Sequence, residues 1–263
     1  MKKKYKIAFF DIDGTLYDYK THRFIQSGLD EIKKFQSSGG KIYLSTARCY
    51  SITKEFGLFD LGIRWDGLIL FSGGLIIAER KTIKKHLMKP SLIKEVDGFA
   101  TSLGATCEIL GIRSRYITSK ASKYAIDYNS YFPDKMARVK KYQGEEASGI
   151  LLYAPKKMDE AIKKKFPNIT YKRFLPNGVE ISTDIERNKG RAVKDVLDFY
   201  GFEKEDAIAF GDGLSDIEMK DYVDSIVIVG NGNEDAKKMA DHVSLPIEED
   251  GLAKIMEEII DFA

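Results

Sequence analysis

Residues 5–16 read "YKIAFFDIDGTL": an apolar run ends in two acids, Asp11 and Asp13, and a Gly-Thr pair follows at once. Taking one carboxylate out of water is costly, and two close together cost more unless a cation or a proton compensates. Asp-Gly is also a common turn dipeptide, so a plain surface turn is one reading. The other is a site that handles a metal ion and a phosphoryl group. The rest of the chain decides between them.

"KIAFF" reads as a buried strand. Phe24, Ile25, Leu29, Ile32 and Phe35 recur at helical spacing, and Ser38-Gly39-Gly40 closes that helix. "KIYLS" (41–45) is a second strand, followed by a short helical stretch around 50–56. "GLILF" (67–71) is a third, and "SGG" turns it into "LIIA". Strands separated by helices predict crossovers and a mostly parallel sheet. The same rhythm returns after residue 188: a helix over 189–200, "DAIAF" (206–210), a helix near 214–220, "SIVIV" (225–229) and two more helical stretches. From about Arg80 to Asp184 the pattern differs. "ATCEIL", "SRYIT", "SGILLYA", "ITYKRFL" and "GVEIST" group together, with helical stretches near 91–103 and 157–165, which predicts an antiparallel α+β insert. The predicted fold is α/β. A doubly wound, Rossmann-like parallel sheet core spans 1–79 and 185–263, interrupted by an α+β domain over 80–184.

In an open parallel sheet, ligands bind beyond the carboxyl ends of the strands. "IAFF" ends in Asp11-Ile12-Asp13, "IYL" in Ser45-Thr46-Ala47-Arg48, and "AIAF" in Gly211-Asp212-Gly213-Leu214-Ser215-Asp216. Three polar clusters far apart in sequence thus converge on one sheet edge, and the surface-turn reading would need three coincidences. Asp11, Asp13 and Asp212 are hard oxygen ligands of the kind Mg²⁺ takes. Thr46 offers a hydroxyl, and Lys189 in "NKGRA" offers a point charge near a helix N-terminus that favours anions. A carboxylate attacking a phosphate dianion meets like-charge repulsion, which Mg²⁺ and Lys189 would offset. Gly14 permits positive φ, which lets backbone N–H groups turn toward an anion.

"DIDGT", "STAR", Lys189-Gly190 and "GDGLSDIEM" match, in order, the four motifs of the haloacid dehalogenase-like hydrolases. Within them the chain resembles the Cof-type phosphatases, whose large C2-class cap is inserted between the second and third motifs. "VGNGNEDAKKMADHV" followed by "EEDGLAKIMEEII" also resembles the ending of that branch. The resemblance implies Asp11 as the nucleophile that forms an aspartyl-phosphate. It implies Asp13 as general acid for the leaving alcohol and then base for water, with its backbone carbonyl on Mg²⁺. Asp212 would ligate the metal, and Asp216 would support the metal's water shell or orient Lys189. Thr46, Lys189, Ser215 and backbone amides near Ile12 and Ala47 would hold the phosphate. Asp13 has to carry a proton at neutral pH, which a bound phosphate anion beside it favours. Asp11 has to stay ionised. The pattern departs from the family at Ser215 (usually Asn), Ala47 (usually Gly), Ser72-Gly73 (usually Asn-Gly) and Val229 (commonly Met). Ser215 can still donate to phosphate, and Ala47 still supplies an N–H.

Other classes are excluded on the residues. Forty-two basic and 40 acidic side chains leave a net charge of +2, no footprint for nucleic acid. The apolar run after "MKKKY" is too short for a signal sequence, and none approaches a membrane span, so a cytoplasmic location is expected. Cys49 and Cys107 stand apart, against a zinc site or a disulfide framework, and Cys49 reads as a packing residue. His22, His86 and His242 are scattered, against a triad or a zinc site. An EF-hand loop starting at Asp11 would put His22 where a bidentate Glu is needed, and no P-loop motif exists. The run "RKTIKKHLMK" (80–89) reads either as an attractor of phosphorylated substrates or as a solvated face. Tyr124, Tyr128, Tyr131 and Phe132 read as packing of the insert or as pocket lining. The expected activity is Mg²⁺-dependent hydrolysis of small phosphorylated metabolites, sugar phosphates favoured, by a monomer or weak homodimer. A phosphomutase, or a phosphometabolite-binding regulator with little turnover, is the alternative. An intact Asp11/Asp13 pair argues against the regulator, since a pure binder needs neither nucleophile nor acid.

Overall fold

The computed structural model describes residues 2–131, 136–183 and 187–262. The chain divides into two compact units. One comprises Met1–Ala47, Phe59–Lys84 and Arg187–Ala263, and the other Arg48–Leu58 and Lys85–Glu186.

The first unit begins with β1 (Ile7–Phe10), a hairpin of β2 (Tyr17–Asp18) and β3 (Arg23–Phe24), α1 (Gln26–Ser37) and β4 (Lys41–Ser45). After α2 (Tyr50–Glu55), which belongs to the second unit, come β5 (Gly67–Leu70), β6 (Leu75–Ala78) and β7 (Lys81–Lys85). The second unit then runs α3 (Pro90–Ser102), β8 (Thr106–Gly111), β9 (Arg115–Ile117), α4 (Lys123–Asn129), β10 (Ala147–Tyr153), α5 (Asp159–Lys165), β11 (Thr170–Leu175) and β12 (Gly178–Ser182). The chain returns to the first unit through α6 (Lys189–Tyr200), β13 (Ala207–Gly211), α7 (Leu214–Ile217), β14 (Ser225–Ile228), α8 (Glu234–Met239), β15 (His242–Val243) and α9 (Gly251–Ile259).

The main sheet has the order β15-β14-β13-β1-β4-β5-β6-β7. β1 pairs in parallel with β13 on one side and β4 on the other, in a register that sets Phe10 beside both Phe210 and Leu44. The three strand ends are therefore level, and β1 lies where the strand order reverses. That is where an open α/β sheet forms its crevice. β1, β13 and β14 are buried on both faces, which is why they read as unbroken apolar runs. α6 lays Ala192, Val193, Val196 and Leu197 on one face, against Phe9, Tyr43 and Ala209.

The second unit has an antiparallel sheet, β11-β12-β10-β8-β9. Cys107, Ile109, Ile150, Leu152, Val179 and Ile181 face α3 and α5. Glu108, on the opposite side of its strand, is fully buried, yet it accepts from Arg115 (3.2 Å) and Tyr153 (2.5 Å). Arg115 also reaches Glu55 of α2 at 3.0 Å, which ties residues 48–58 to this unit. Buried charges persist where they are paired in this way.

Several expectations shift. Phe24 lies in β3, not on the first helix. The basic run is β7, an edge strand of the main sheet whose lysines guard an exposed edge, with Lys84 paired to Asp195 at 2.7 Å. The second unit accordingly starts at Lys85, not at residue 80, and it also takes in Arg48–Leu58. The expected junction at 184/185 lies outside the described residues, as does Phe132. Tyr124 and Tyr128 pack in the second unit, Tyr128 against Tyr153 (5.2 Å between centroids), while Tyr131 is exposed. Helix α4 and strand β15 carried no periodic signal, being short and mixed in composition. Among the described residues no helix is long and apolar enough to cross a membrane.

Gly190 shows how tightly α6 is seated: a Cβ there would overlap the backbone carbonyl of Glu218. Gly190→Ala is expected to cost about 1–3 kcal/mol through overpacking, read as a lower urea midpoint with an unchanged slope.

Candidate active site

Asp11 follows β1 directly, and its N–H donates to the Phe210 carbonyl on β13 at 2.9 Å. The chain then turns tightly: the Ile12 carbonyl accepts from the N–H groups of Leu16 and Tyr17, both at 2.9 Å. Gly14 adopts φ +81°, so the positive φ anticipated from the sequence is present. A Cβ at Gly14 would overlap the Asp212 carboxylate, so glycine also lets the acid from β13 lie against the turn after β1.

Lys189 opens α6. The Asn188 side chain caps the helix by accepting from the Arg191 N–H at 2.8 Å, and the Lys189 N–H donates to Glu218. The Lys189 ammonium is buried and donates to Asp11 Oδ1 and to Asp216 Oδ1, each at 2.6 Å. Asp216, in the first turn of α7, accepts with Oδ2 from the N–H groups of Asp212 (3.1 Å) and Gly213 (3.0 Å). Gly211 has no room for a side chain because Asp216 fills the space.

Asp11, Asp212 and Asp216 bring carboxylate oxygens within 4.8 Å of one another. Burial pushes the Asp11 carboxyl well up; Lys189 opposes the shift, and Asp216, Asp13 and Asp212 add to it. Asp212 is pushed up to about 7, first by burial and then by the charge of Asp216. Burial alone would pull the Lys189 ammonium down, but Asp11 and Asp216 outweigh it and hold the group charged. If all three ionise, three carboxylates against one ammonium leave an excess of two negative charges, which adds to burial in pushing Asp11 and Asp212 up. A compact set of hard oxygens with that excess fits a divalent cation such as Mg²⁺.

The other residues singled out from the sequence fall around this cluster. Thr46 is buried at the end of β4; its N–H donates to the Ile69 carbonyl, and its carbonyl accepts from Ser72, each at 2.9 Å. Ser72 holds φ +50°, a left-handed conformation that suits the asparagine usual there better than serine. Ala47 follows, exposed, and Ser215 sits half-buried in α7. The Asp13 carboxylate is not within the three-acid group; it accepts instead from the Tyr19 hydroxyl.

Tyr19 was not singled out from the sequence, because its role depends on a hairpin too short to show a period. Asn231 was also missed. Its Nδ2 donates to the Gly14 carbonyl at 2.9 Å, and its Oδ1 accepts from the Ile247 N–H at 2.8 Å. The Asn-Gly-Asn spacing was its only signal, and the neighbouring Asn233 N–H donates to the Asp212 carbonyl at 2.7 Å.

Residues 8–256 match the family of haloacid dehalogenase-like hydrolases. The chain belongs to that family. It is a phosphatase-type member. Among its relatives, YkrA of Bacillus subtilis strain 168 is 26% identical over 261 residues, 97% of each chain. The 5-amino-6-(5-phospho-D-ribitylamino)uracil phosphatase YitU of the same strain is 24% identical over 270 residues, again 97% of each. Among solved structures, the haloacid dehalogenase subclass IIB sugar phosphatase BT4131 superposes with a TM-score of 0.79 at 23% identity. That match covers 96% of this chain and 98% of the other.

If Lys189 is the counter-ion of two buried acids, Lys189→Met is expected to destabilise by about 3–5 kcal/mol. Adding Asp11→Asn and Asp216→Asn to it should recover most of that loss in urea unfolding. Equal destabilisation of the single and triple variants would assign the loss to packing instead.

Proposed function

We propose that the protein is an Mg²⁺-dependent phosphatase of small phosphorylated metabolites, working through a phosphorylated Asp11. The observation that carries this reading is the buried Lys189 ammonium, held between Asp11 and Asp216 beside Asp212. Mg²⁺ would be held by Asp11, Asp212 and the Asp13 main-chain carbonyl, and when bound it would supply charge neutralisation between the nucleophile and the phosphate dianion.

The chain's own residues do the rest. Asp11 attacks phosphorus with the oxygen not committed to Lys189, and the bond to the leaving oxygen breaks. Lys189 fixes the Asp11 rotamer and offsets charge on the transferring group. Both Asp216 oxygens already accept from protein donors, so of the two roles open to it, orienting Lys189 fits better than serving the metal's water shell. Asp13 gives its proton to the leaving alkoxide. It then takes one from the water that attacks the aspartyl-phosphate, which releases phosphate and restores Asp11. Thr46, Ser215 and the N–H groups of Ile12 and Ala47 hold the phosphoryl oxygens.

The second unit selects the leaving group in this reading. Sugar phosphates are favoured as substrates. Support comes from the sugar phosphatase among the structural neighbours and from YitU, whose named substrate carries its phosphate on a ribityl chain.

The test is phosphate release from a panel of sugar phosphates, polyol phosphates, nucleotides and pyridoxal phosphate. Turnover is expected with Mg²⁺, to be abolished by EDTA, and to fall at least about 10³-fold in Asp11→Asn. A panel bound but nowhere hydrolysed would overturn the reading.

A further inference from the structure

In the reading above the metal is held from two loops. The turn after β1 carries Asp11 and the Asp13 carbonyl, and the loop after β13 carries Asp212. A third loop, residues 229–233 after β14, touches both. Its Asn233 N–H donates to the Asp212 carbonyl at 2.7 Å, and the Asn231 Nδ2 donates to the Gly14 carbonyl at 2.9 Å. Gly232 lies so close to the Asp212 carbonyl that a Cβ would overlap it.

Gly14 is where the two acid-bearing loops meet. At φ +81° it leaves the space that the Asp212 carboxylate fills. Its N–H, in the same rigid peptide unit as the Asp13 carbonyl, donates to the Tyr17 carbonyl at 3.0 Å. Its own carbonyl is the group that Asn231 holds. A shift of Gly14 would therefore turn the Asp13 carbonyl and loosen the Asp212 carboxylate together.

Asn231 is placed to resist that shift. Its Oδ1 accepts from the Ile247 N–H at 2.8 Å, so the amide spans from the turn before α9 to Gly14. A carbonyl facing one end and an N–H facing the other fix which way the amide points. The backbone on either side is tied down. The Val229 N–H donates to the Gly211 carbonyl at 3.0 Å, the Gly230 carbonyl accepts from Lys237 at 3.1 Å, and the Asn233 side chain caps α8.

We propose that Asn231 is a positioning residue for the metal site, bracing Gly14 so that the Asp13 carbonyl and the Asp212 carboxylate keep the spacing that Mg²⁺ requires. This rests on the phosphatase reading above and adds no ligand to it. Mg²⁺ demands near-octahedral oxygens at about 2.0–2.1 Å, whereas Ca²⁺ accepts a more variable set at about 2.3–2.6 Å. Losing the brace should therefore cost Mg²⁺ affinity and leave Ca²⁺ affinity nearly as it was. General loss of structure would weaken both alike.

The test is calorimetric titration of the full chain with MgCl₂ or CaCl₂, without substrate. In Asn231→Ala the Mg²⁺ Kd is expected to rise about tenfold, and the Ca²⁺ Kd less than about threefold. Asn231→Asp keeps the acceptor for Ile247 but sets an oxygen against the Gly14 carbonyl. Its added charge favours both cations, so the Mg²⁺/Ca²⁺ preference is what should fall there. That variant decides the matter if Asn231→Ala fails to fold. Tyr5→Phe, which loses bonds to Asp224 and Ser225 at the start of β14, is the stability control. It should unfold more easily yet keep both Kd values within about twofold. An unfolded fraction lowers the number of sites, not the Kd. An unchanged Mg²⁺ Kd in Asn231→Ala, or a Mg²⁺/Ca²⁺ preference unmoved in either folded variant, would overturn the proposal while leaving the phosphatase reading intact. A wild type that binds no Mg²⁺, or an Asp212→Asn variant that binds it as tightly as the wild type, would overturn the reading of the metal site itself.

Discussion

One ammonium group organises this site. Lys189 is buried, 2.6 Å from Asp11 and 2.6 Å from Asp216, and neither acid would be tolerated there without it. The three residues come from the end of β1, the start of α6 and the first turn of α7, so their pairing joins segments separated by most of the chain. The pairing is also incomplete in charge, because Asp212 adds a third acid close by. A largely buried cluster still short of positive charge is suited to taking a divalent cation together with a phosphoryl group.

The backbone makes this arrangement affordable. The level register of β13, β1 and β4 brings three polar strand ends to one edge, where backbone and side chains can satisfy one another. Glycines appear where two groups approach too closely for a Cβ. Gly14 admits the Asp212 carboxylate, Gly211 admits Asp216, and Gly190 admits the Glu218 carbonyl. These contacts fix the acids by packing as well as by charge.

Much of this was legible in the sequence, for a physical reason. Strands buried on both faces are continuous apolar runs, so the polar residues that end them stand out, and Asp11, Thr46 and Asp212 were found that way. Lys189 was legible as a point charge that opens a predicted helix. The β2–β3 hairpin is only two residues per strand, too short for any periodicity, so Tyr19 and its bond to Asp13 were hidden. β7 was read only as a basic run, a solvated face or a substrate attractor, because its lysines hide the strand until it is seen at the sheet edge. Residues 48–58 sit next to "STAR" in sequence and packed elsewhere, because Glu55 finds its partner, Arg115, about 60 residues downstream. Pairings between distant side chains leave no local trace.

The measurement that bears most directly on the account is whether Asp11 becomes phosphorylated. A good substrate would be mixed with the Mg²⁺-loaded enzyme, quenched in acid within the first turnover, and digested for mass spectrometry. The account requires one phosphoryl group on the peptide that carries Asp11, absent with EDTA and absent in Asp11→Asn. Phosphate released in the first turnover with no phosphoryl group on that peptide at any quench time would contradict it, and would place water, not Asp11, as the nucleophile.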